Sequence, residues 1–325
     1  MPLKTPSFWY PPLDQTPAYW EKALWPASVL YQSVHRVNQA LNKNYHAPFP
    51  VICVGNATAG GSGKTPLCIA LAKLVNKPDL YFLTKGYKGS LESSLIVDPR
   101  THLNDMVGDE ALLLARYATT IKSANRIEGM KLAEAQNAAL VIMDDGLQNP
   151  SVHKDISFMV IDGAHGFGNG KTLPAGPLRE PLEKAFSRAD AFILIGEDER
   201  NIKSLLPEDK PIFRADIIPQ ELDGPKKVVA FCGLGLPEKF KTTLANAGYE
   251  IAGWHEFPDH HPYTHKELQN LKESADKLGA SLITTEKDAM RIFEKSMLEH
   301  IQVLKISAVF ENESAVQKFL QEHLP

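Results

Sequence analysis

Cysteine is scarce in this 325-residue chain: Cys53, Cys68 and Cys232 lie far apart, each in an apolar stretch. That distribution fits neither a disulfide framework nor a cysteine-based metal site, and it fits a reducing compartment. Long apolar runs are missing too. No stretch approaches the roughly 20 apolar residues of a membrane-spanning helix, and the N-terminus lacks the basic-then-apolar design of a secretory signal. Positive charge is not in excess. The net charge of −4 argues against a general nucleic-acid binder. Internal repeats and low-complexity segments are absent. Hydrophobic content of 43% and charged content of 23% are those of a soluble globular protein, with length for one large domain or two smaller ones.

Aromatic residues, by contrast, crowd the first 31 positions: Phe8, Trp9, Tyr10, Tyr19, Trp20, Trp25 and Tyr31. Pro11, Pro12, Pro17 and Pro26 divide this region, and helices are expected around 18–24 and 27–41. Beside Lys22, His35, Arg36 and Lys43, these aromatics suit either a segment lying in a membrane interface or an arm packed over the core.

Beyond residue 45, apolar runs alternate with helical patterns, the signature of an α/β fold with a mostly parallel sheet. Strands are expected at 49–54, 80–84, 95–97, 120–123, 139–143, 158–161 and 191–195, and helices at 110–117 and 127–136. The first domain then spans 46–211 and ends at Leu206-Pro207-Glu208-Asp209-Lys210-Pro211. A smaller α/β domain is expected over 226–301. It opens on a strand at 228–232, and its capping box Thr264-His265-Lys266-Glu267 starts a helix to Leu278, followed by a strand at 281–285. Extended segments within 212–225 and at 302–309 flank it as a two-stranded hinge. A last helix at 313–322 returns the tail, 310–325, to the first domain. Two lobes joined this way can close over substrate.

The most informative run is Thr58-Ala59-Gly60-Gly61-Ser62-Gly63-Lys64-Thr65. It lies between an apolar strand and a helix beginning Pro66-Leu67-Cys68, the context of a phosphate-binding loop. Glycines let backbone N–H groups curl around phosphate oxygens, and the helix N-terminus adds positive potential. Lys64 is placed for the β- and γ-phosphates and Thr65 for Mg²⁺, so a nucleoside triphosphate is the expected ligand. Thr58 stands where the common motif opens with Gly. Downstream, the strand at 139–143 ends in Asp144-Asp145, paired carboxylates that a magnesium site explains better than packing does.

Gly108-Asp109-Glu110 opens a helix, where an Asp cap is the ordinary explanation. The loop from Phe167 to Pro181, rich in glycine and proline, follows a path no core element needs. It suggests a rigid ligand-facing turn carrying Arg179 and Glu180, with Arg179 placed to stabilise phosphate charge. In Asp259-His260-His261-Pro262-Tyr263, neighbouring histidines seldom ligate one ion. A turn histidine that orients a carboxylate or contacts substrate is expected instead of zinc. Thr284-Thr285-Glu286-Lys287-Asp288 says little by itself.

Together these motifs resemble one family over nearly the whole chain: the tetraacyldisaccharide 4′-kinases of lipid A biosynthesis (LpxK). The resemblance runs through 55–66, Lys85-Gly86-Tyr87, Val107-Gly108-Asp109-Glu110, Asp144-Asp145-Gly146-Leu147-Gln148 and the 167–181 loop. It continues through Phe257-Pro258-Asp259-His260-His261 and the 284–288 run. A Thr opening the phosphate loop is itself usual in that family.

The resemblance implies a P-loop NTPase-like kinase that moves the γ-phosphate of ATP to the 4′-hydroxyl of tetraacyldisaccharide 1-phosphate, forming lipid IVA. It implies that Asp109 and His260 form a catalytic pair, that Lys64 and Arg179 assist, and that residues Thr58 to Thr65 bind ATP. Thr65, Asp144 and Asp145 are then expected to serve Mg²⁺. Gln148, Glu180 and the weaker match Arg126 are then expected to line the site, on the substrate side or just behind it. The implied partners are the acylated lipid and the cytoplasmic face of the bacterial inner membrane, met peripherally through residues 1–45. No nucleic acid and no required protein partner are implied. Leu147 and Asn149 replace the family's Phe and His, and Lys85 replaces a common Arg, so positions 85 and 149 inherit no role.

Two rival readings remain at this point. The Gly60–Thr65 core also resembles the deviant phosphate loops of MinD/ParA switches, although Ala59 stands where those carry Lys. A soluble kinase for a small sugar or nucleoside leaves the aromatic N-terminus unexplained.

Overall fold

Val51, Ile52, Cys53 and Val54 are each no more than 1% exposed. A run buried on both sides becomes an interior strand of a parallel sheet, here β1 (Val51–Gly55). The computed structural model describes residues 6–12, 19–40, 44–61 and 63–324, without the side chains of residues 21, 34–40 and 295. The chain continues through β2 (Leu80–Thr84), β3 (Leu95–Ile96), β4 (Thr119–Lys122), β5 (Leu140–Asp144), β6 (Ile156–Asp162), β7 (Ala191–Ile195) and β8 (Ile212–Pro219). It then leaves for a second sheet made of β9 (Lys227–Cys232), β10 (Glu250–Glu256), β11 (Ser281–Thr285) and β12 (Ile301–Leu304). It returns as β13 (Ile306–Phe310).

The larger sheet has the order β13-β8-β7-β6-β1-β5-β2-β4-β3, and the smaller β10-β9-β11-β12. The larger is parallel except at its edges, where β3 and β13 run antiparallel to their neighbours. Alternate residues of β1 and β5 feed two apolar layers: Val51, Cys53, Val141 and Met143 on one face, Ile52, Val54, Leu140 and Ile142 on the other. β1 and β6 are neighbours, and the chain leaves β1 for β2 on one side and β6 for β7 on the other. Such a switch point opens a crevice at the carboxyl ends of the strands.

In the smaller sheet, the helix His265–Leu278 starts on the expected Thr264/Glu267 capping box and stops at Gly279 in the left-handed conformation. It buries Leu268, Leu271 and Ala275 against Val229, Phe231 and Leu282.

Two expectations are corrected. The strand expected at 302–309 is divided: β12 lies parallel to β11, while β13 pairs antiparallel with β8. Leu304 packs into the small sheet's core, and Ala308 and Phe310 pack into the large one's. The exposed Lys305 between them marks the change of sheet. The paired segments β8 and β13 are thus the edge of the nine-stranded sheet.

The second correction concerns Pro26, which does not separate two helices. One helix, Tyr19–Ala40, runs through it. Proline deprives the Lys22 carbonyl of its usual donor, but Lys22 and Pro26 are both exposed, where solvent satisfies that carbonyl. Positions 18 and 41 of the expected helices, and Lys43, lie outside the described residues, as do the side chains of His35 and Arg36.

Candidate active site

β1 ends in the loop that the sequence marks for phosphate. Gly63 caps the helix Lys64–Val75 at φ 77°. A Cβ there would stand 2.7 Å from the Ile195 side chain, so the turn needs glycine. Asn56 organises the loop from within. Its Oδ1 accepts from Lys64 Nζ at 3.1 Å, its Nδ2 donates to the Thr58 carbonyl at 2.8 Å, and its own carbonyl accepts from Gln148 Nε2 at 2.8 Å. The Ala59 N–H donates to the Pro177 carbonyl at 2.7 Å and the Arg179 N–H to the Ala57 carbonyl at 2.8 Å. The 167–181 loop therefore clamps the opening of the phosphate loop. Gly60 and Gly61 present open space where side chains would stand; Ser62 lies outside the described residues.

Asp144 and Asp145 follow at the carboxyl end of β5. Asp145, a non-glycine residue at φ 58°, turns its carboxylate towards Arg179, whose Nη1 donates to Oδ1 at 2.7 Å. Lys64 Nζ lies 3.7 Å from the same oxygen. Burial would raise the Asp145 carboxyl, but Lys64, Arg179 and Arg126 outweigh it and hold the pKa at about 2. Asp144 goes the other way. Burial, with added negative charge from Glu110 and Asp145, pushes it up to about 7. Its Oδ2 accepts from the Thr65 hydroxyl at 3.1 Å, while its buried Oδ1 has no hydrogen-bond partner.

Asp109 stands at the start of the helix Asp109–Leu114. Gly108 before it takes φ 87°, and a Cβ would lie 2.6 Å from the Tyr87 carbonyl. Asp109 is 3% exposed. Its Oδ2 meets two groups from the smaller sheet: His260 Nδ1 at 2.8 Å and Arg291 Nε at 2.7 Å. Burial alone would raise its pKa; His260 and Arg291 hold it at about 2. An ionised Asp109 accepts, so Nδ1 of His260 carries the hydrogen. His260 itself sits at φ 63°, with Tyr87 edge-on to its ring at 5.6 Å. Beside it, Lys287 Nζ lies 3.2 Å from Glu110 Oε1, and Arg116 pairs with Glu286 at 3.6 Å. The two sheets thus meet across a row of ion pairs.

Other sequence-marked residues take different places. Arg126 is 4% exposed, and its guanidinium donates to the carbonyls of Ser123, Asp144 and Asp145 at 3.2–3.4 Å. It braces the end of β5 from behind the two carboxylates. Glu180 is buried at 1% exposure and paired with Arg188 at 3.1 Å, so it supports the 167–181 loop from inside. Gln148 links the two groups of the site, accepting from Arg179 Nη1 at 3.4 Å. His261 turns away to Glu267 at 3.0 Å. Asn149 caps a local turn through Ser151, and Lys85 is exposed.

Sequence reasoning missed Asn56 and Arg291. The first had a signal, an amide inside the Gly-Asn-Ala-Thr approach to the loop. The second had only its spacing, three residues after Asp288.

The chain also has counterparts among known proteins. Residues 20–325 match the family model described as tetraacyldisaccharide-1-P 4′-kinase. A tetraacyldisaccharide 4′-kinase of Rhodospirillum centenum is 38% identical, over 98% of this chain and 96% of its own length. One from Parvibaculum lavamentivorans is 44% identical, over 89% of this chain and 87% of its own. Among solved structures, LpxK from Aquifex aeolicus, described as an "apo" form in complex with ATP, is 28% identical. It aligns with TM-score 0.77 over 94% of this chain and 99% of that one. With matches in both sequence and architecture spanning its length, the chain belongs to the tetraacyldisaccharide 4′-kinase family.

Proposed function

We propose that this chain transfers the γ-phosphate of ATP to the 4′-hydroxyl of a tetraacylated glucosamine disaccharide 1-phosphate, yielding lipid IVA. The observation that carries the assignment is the Asp109–His260 contact of 2.8 Å, which unites a phosphate-loop sheet with a second sheet. Phosphoryl transfer proceeds through a loose transition state, so the protein's task is to position groups and neutralise charge. Lys64 and Arg179 supply positive charge beside the phosphate loop. With Nδ1–H donated to Asp109, His260 offers Nε2 to the sugar hydroxyl. Asp109 holds the tautomer and balances the charge that develops on the ring.

Mg²⁺ suits the residues present. Thr65 Oγ1 and the unpartnered Asp144 Oδ1 are hard oxygen donors, and this ion draws most of its other ligands from phosphates and water. When bound, the ion supplies charge neutralisation at the phosphates.

The reading includes peripheral docking on the cytoplasmic face of the inner membrane. The helix Tyr19–Ala40 is fixed to the 167–181 loop by Ser28 and Gln32, which bond to Thr172 at 2.9 and 2.8 Å. Yet Tyr19, Trp20, Trp25 and Leu30 remain 92%, 66%, 63% and 67% exposed. Large apolar residues left uncovered on a helix suit a lipid interface, and no described helix is long and apolar enough to cross a membrane. The Trp20→Ala/Trp25→Ala variant is expected to partition into anionic vesicles at least about tenfold more weakly. Unchanged sedimentation with the vesicles contradicts docking through this helix.

The catalytic reading is tested by ATP consumption in detergent micelles. It is expected to depend on added tetraacyl disaccharide 1-phosphate, whereas lipid-independent hydrolysis supports a nucleotide switch.

A further inference from the structure

Arg291 is among the largest fully buried side chains of the protein, with no exposed surface. An uncompensated guanidinium there is prohibitively costly, so its partners show what it is for. It lies just beyond the short helix Glu286–Ala289 in the part of the chain that carries the small sheet, yet it reaches across to Asp109. Nε donates to Asp109 Oδ2 at 2.7 Å. Nη2 stands 2.6 Å from the same oxygen without hydrogen-bond geometry, so that contact is Coulombic.

The other side of the guanidinium is held just as firmly. Nη1 donates to Asp288 Oδ1 at 2.9 Å and to the Gly233 carbonyl at 2.8 Å. Asp288 is anchored in turn: Oδ1 also accepts from the Tyr263 hydroxyl at 2.8 Å and the Gly233 N–H at 2.9 Å, and Oδ2 from the Thr285 hydroxyl at 2.6 Å. Gly233 follows β9 and Thr285 closes β11, so the carboxyl ends of two neighbouring strands fix the fork. His260 belongs to the same construction, because its N–H donates to the Gly233 carbonyl at 3.2 Å.

We propose that Arg291 is a positioning residue of the transfer reaction: it locks the Asp109 carboxylate, and through it the His260 ring, in the orientation that receives the hydroxyl proton. The inference rests on the reading of Asp109 and His260 given above. Arg291 makes that orientation depend on docking of the two sheets, because the fork is built on one and its target on the other. Two carboxylates, Asp109 and Asp288, face one guanidinium in this buried cluster. With Asp259 Oδ2 also 3.7 Å from His260 Nε2, a proton taken up by His260 meets carboxylates on both sides of the ring instead of adding an uncompensated charge.

The test is a double-mutant cycle between Arg291→Lys and Asp109→Asn. It is read as kcat and KM for ATP with tetraacyl disaccharide 1-phosphate in detergent micelles, with thermal unfolding recorded for each variant. Lysine keeps the charge but cannot bridge Asp109, Asp288 and Gly233 together. Arg291→Lys is expected to lower kcat by about tenfold or more, with little change in KM for ATP. In the Asp109→Asn background the same substitution is expected to change kcat by less than about twofold. Equal losses in both backgrounds, or no loss in the parent, overturn the proposal while leaving the Asp109 reading intact. Full turnover in Asp109→Asn alone overturns both. Should Arg291→Lys fail to fold, Asp288→Asn replaces it in the cycle; it loosens the fork without touching Asp109, and the same contrast between backgrounds decides.

Discussion

Asp109→Asn is expected to lower turnover by about 10²–10⁴-fold while ATP still binds. Asparagine is the informative replacement. It keeps an oxygen for His260 and Arg291, whereas alanine removes one of the two carboxylates that face a fully buried guanidinium, at a cost of up to about 3–5 kcal/mol. Loss of activity in an alanine variant therefore mixes catalysis with stability. The asparagine variant removes the negative charge that holds His260 with its hydrogen on Nδ1 and its Nε2 free to accept. Single-turnover kinetics at saturating ATP, with thermal unfolding as a control, separates the two contributions. Near-parental turnover in a folded variant removes Asp109 from the mechanism.

Asp144→Asn is expected to make the ligand-free protein more stable and the enzyme nearly inactive. The folded-state pKa of Asp144 is raised from 3.8 to about 7, first by burial and then by the neighbouring Glu110 and Asp145. A carboxyl with a raised pKa opposes folding as it ionises. The cost is absent below about pH 4, grows as pH rises to about 7 and is constant above that. By linkage it reaches at most about 4 kcal/mol at pH 8.

Removing the charge should therefore raise the unfolding midpoint, with a gain that widens across that pH window. Mg²⁺ and ATP should reverse the order of stability, because only aspartate offers the ion an anionic oxygen beside Thr65. Turnover should fall at least about 100-fold. If the variant is no more stable than the parent at pH 8, or if its turnover survives, Asp144 is not a site held ready for a cation.

Legibility in the sequence followed locality. The phosphate loop, the carboxylate pair closing β5 and the capping box at Thr264 are contiguous runs whose chemistry is complete within ten residues, and the structure has each of these elements where the sequence puts it. Arg291 could not be read this way. Its catalytic-side partner is 182 positions distant, and in one dimension it is an ordinary charged residue after a short helix.

The place of Arg126 was no easier to read: it follows the Asn125 cap at a helix start, and only the fold turns its guanidinium inward to carbonyls at the end of β5. The division of 302–309 into β12 and β13 was equally hidden. Both halves are apolar, and only the identity of the cores they enter distinguishes them. Pro26 gave a true local signal that lost to context, because an exposed helix tolerates one missing hydrogen bond.

What emerges is a site assembled from two sheets. The larger provides the phosphate loop, the Asp144 carboxylate and Asp109. The smaller provides His260 and the buried arginine fork. The proposed transfer draws on both sets. Its most direct test is the position of the label after incubation with γ-labelled ATP, Mg²⁺ and tetraacyl disaccharide 1-phosphate in detergent micelles. The account predicts one labelled phosphate ester at the 4′ carbon of the disaccharide. Label found only in inorganic phosphate contradicts it.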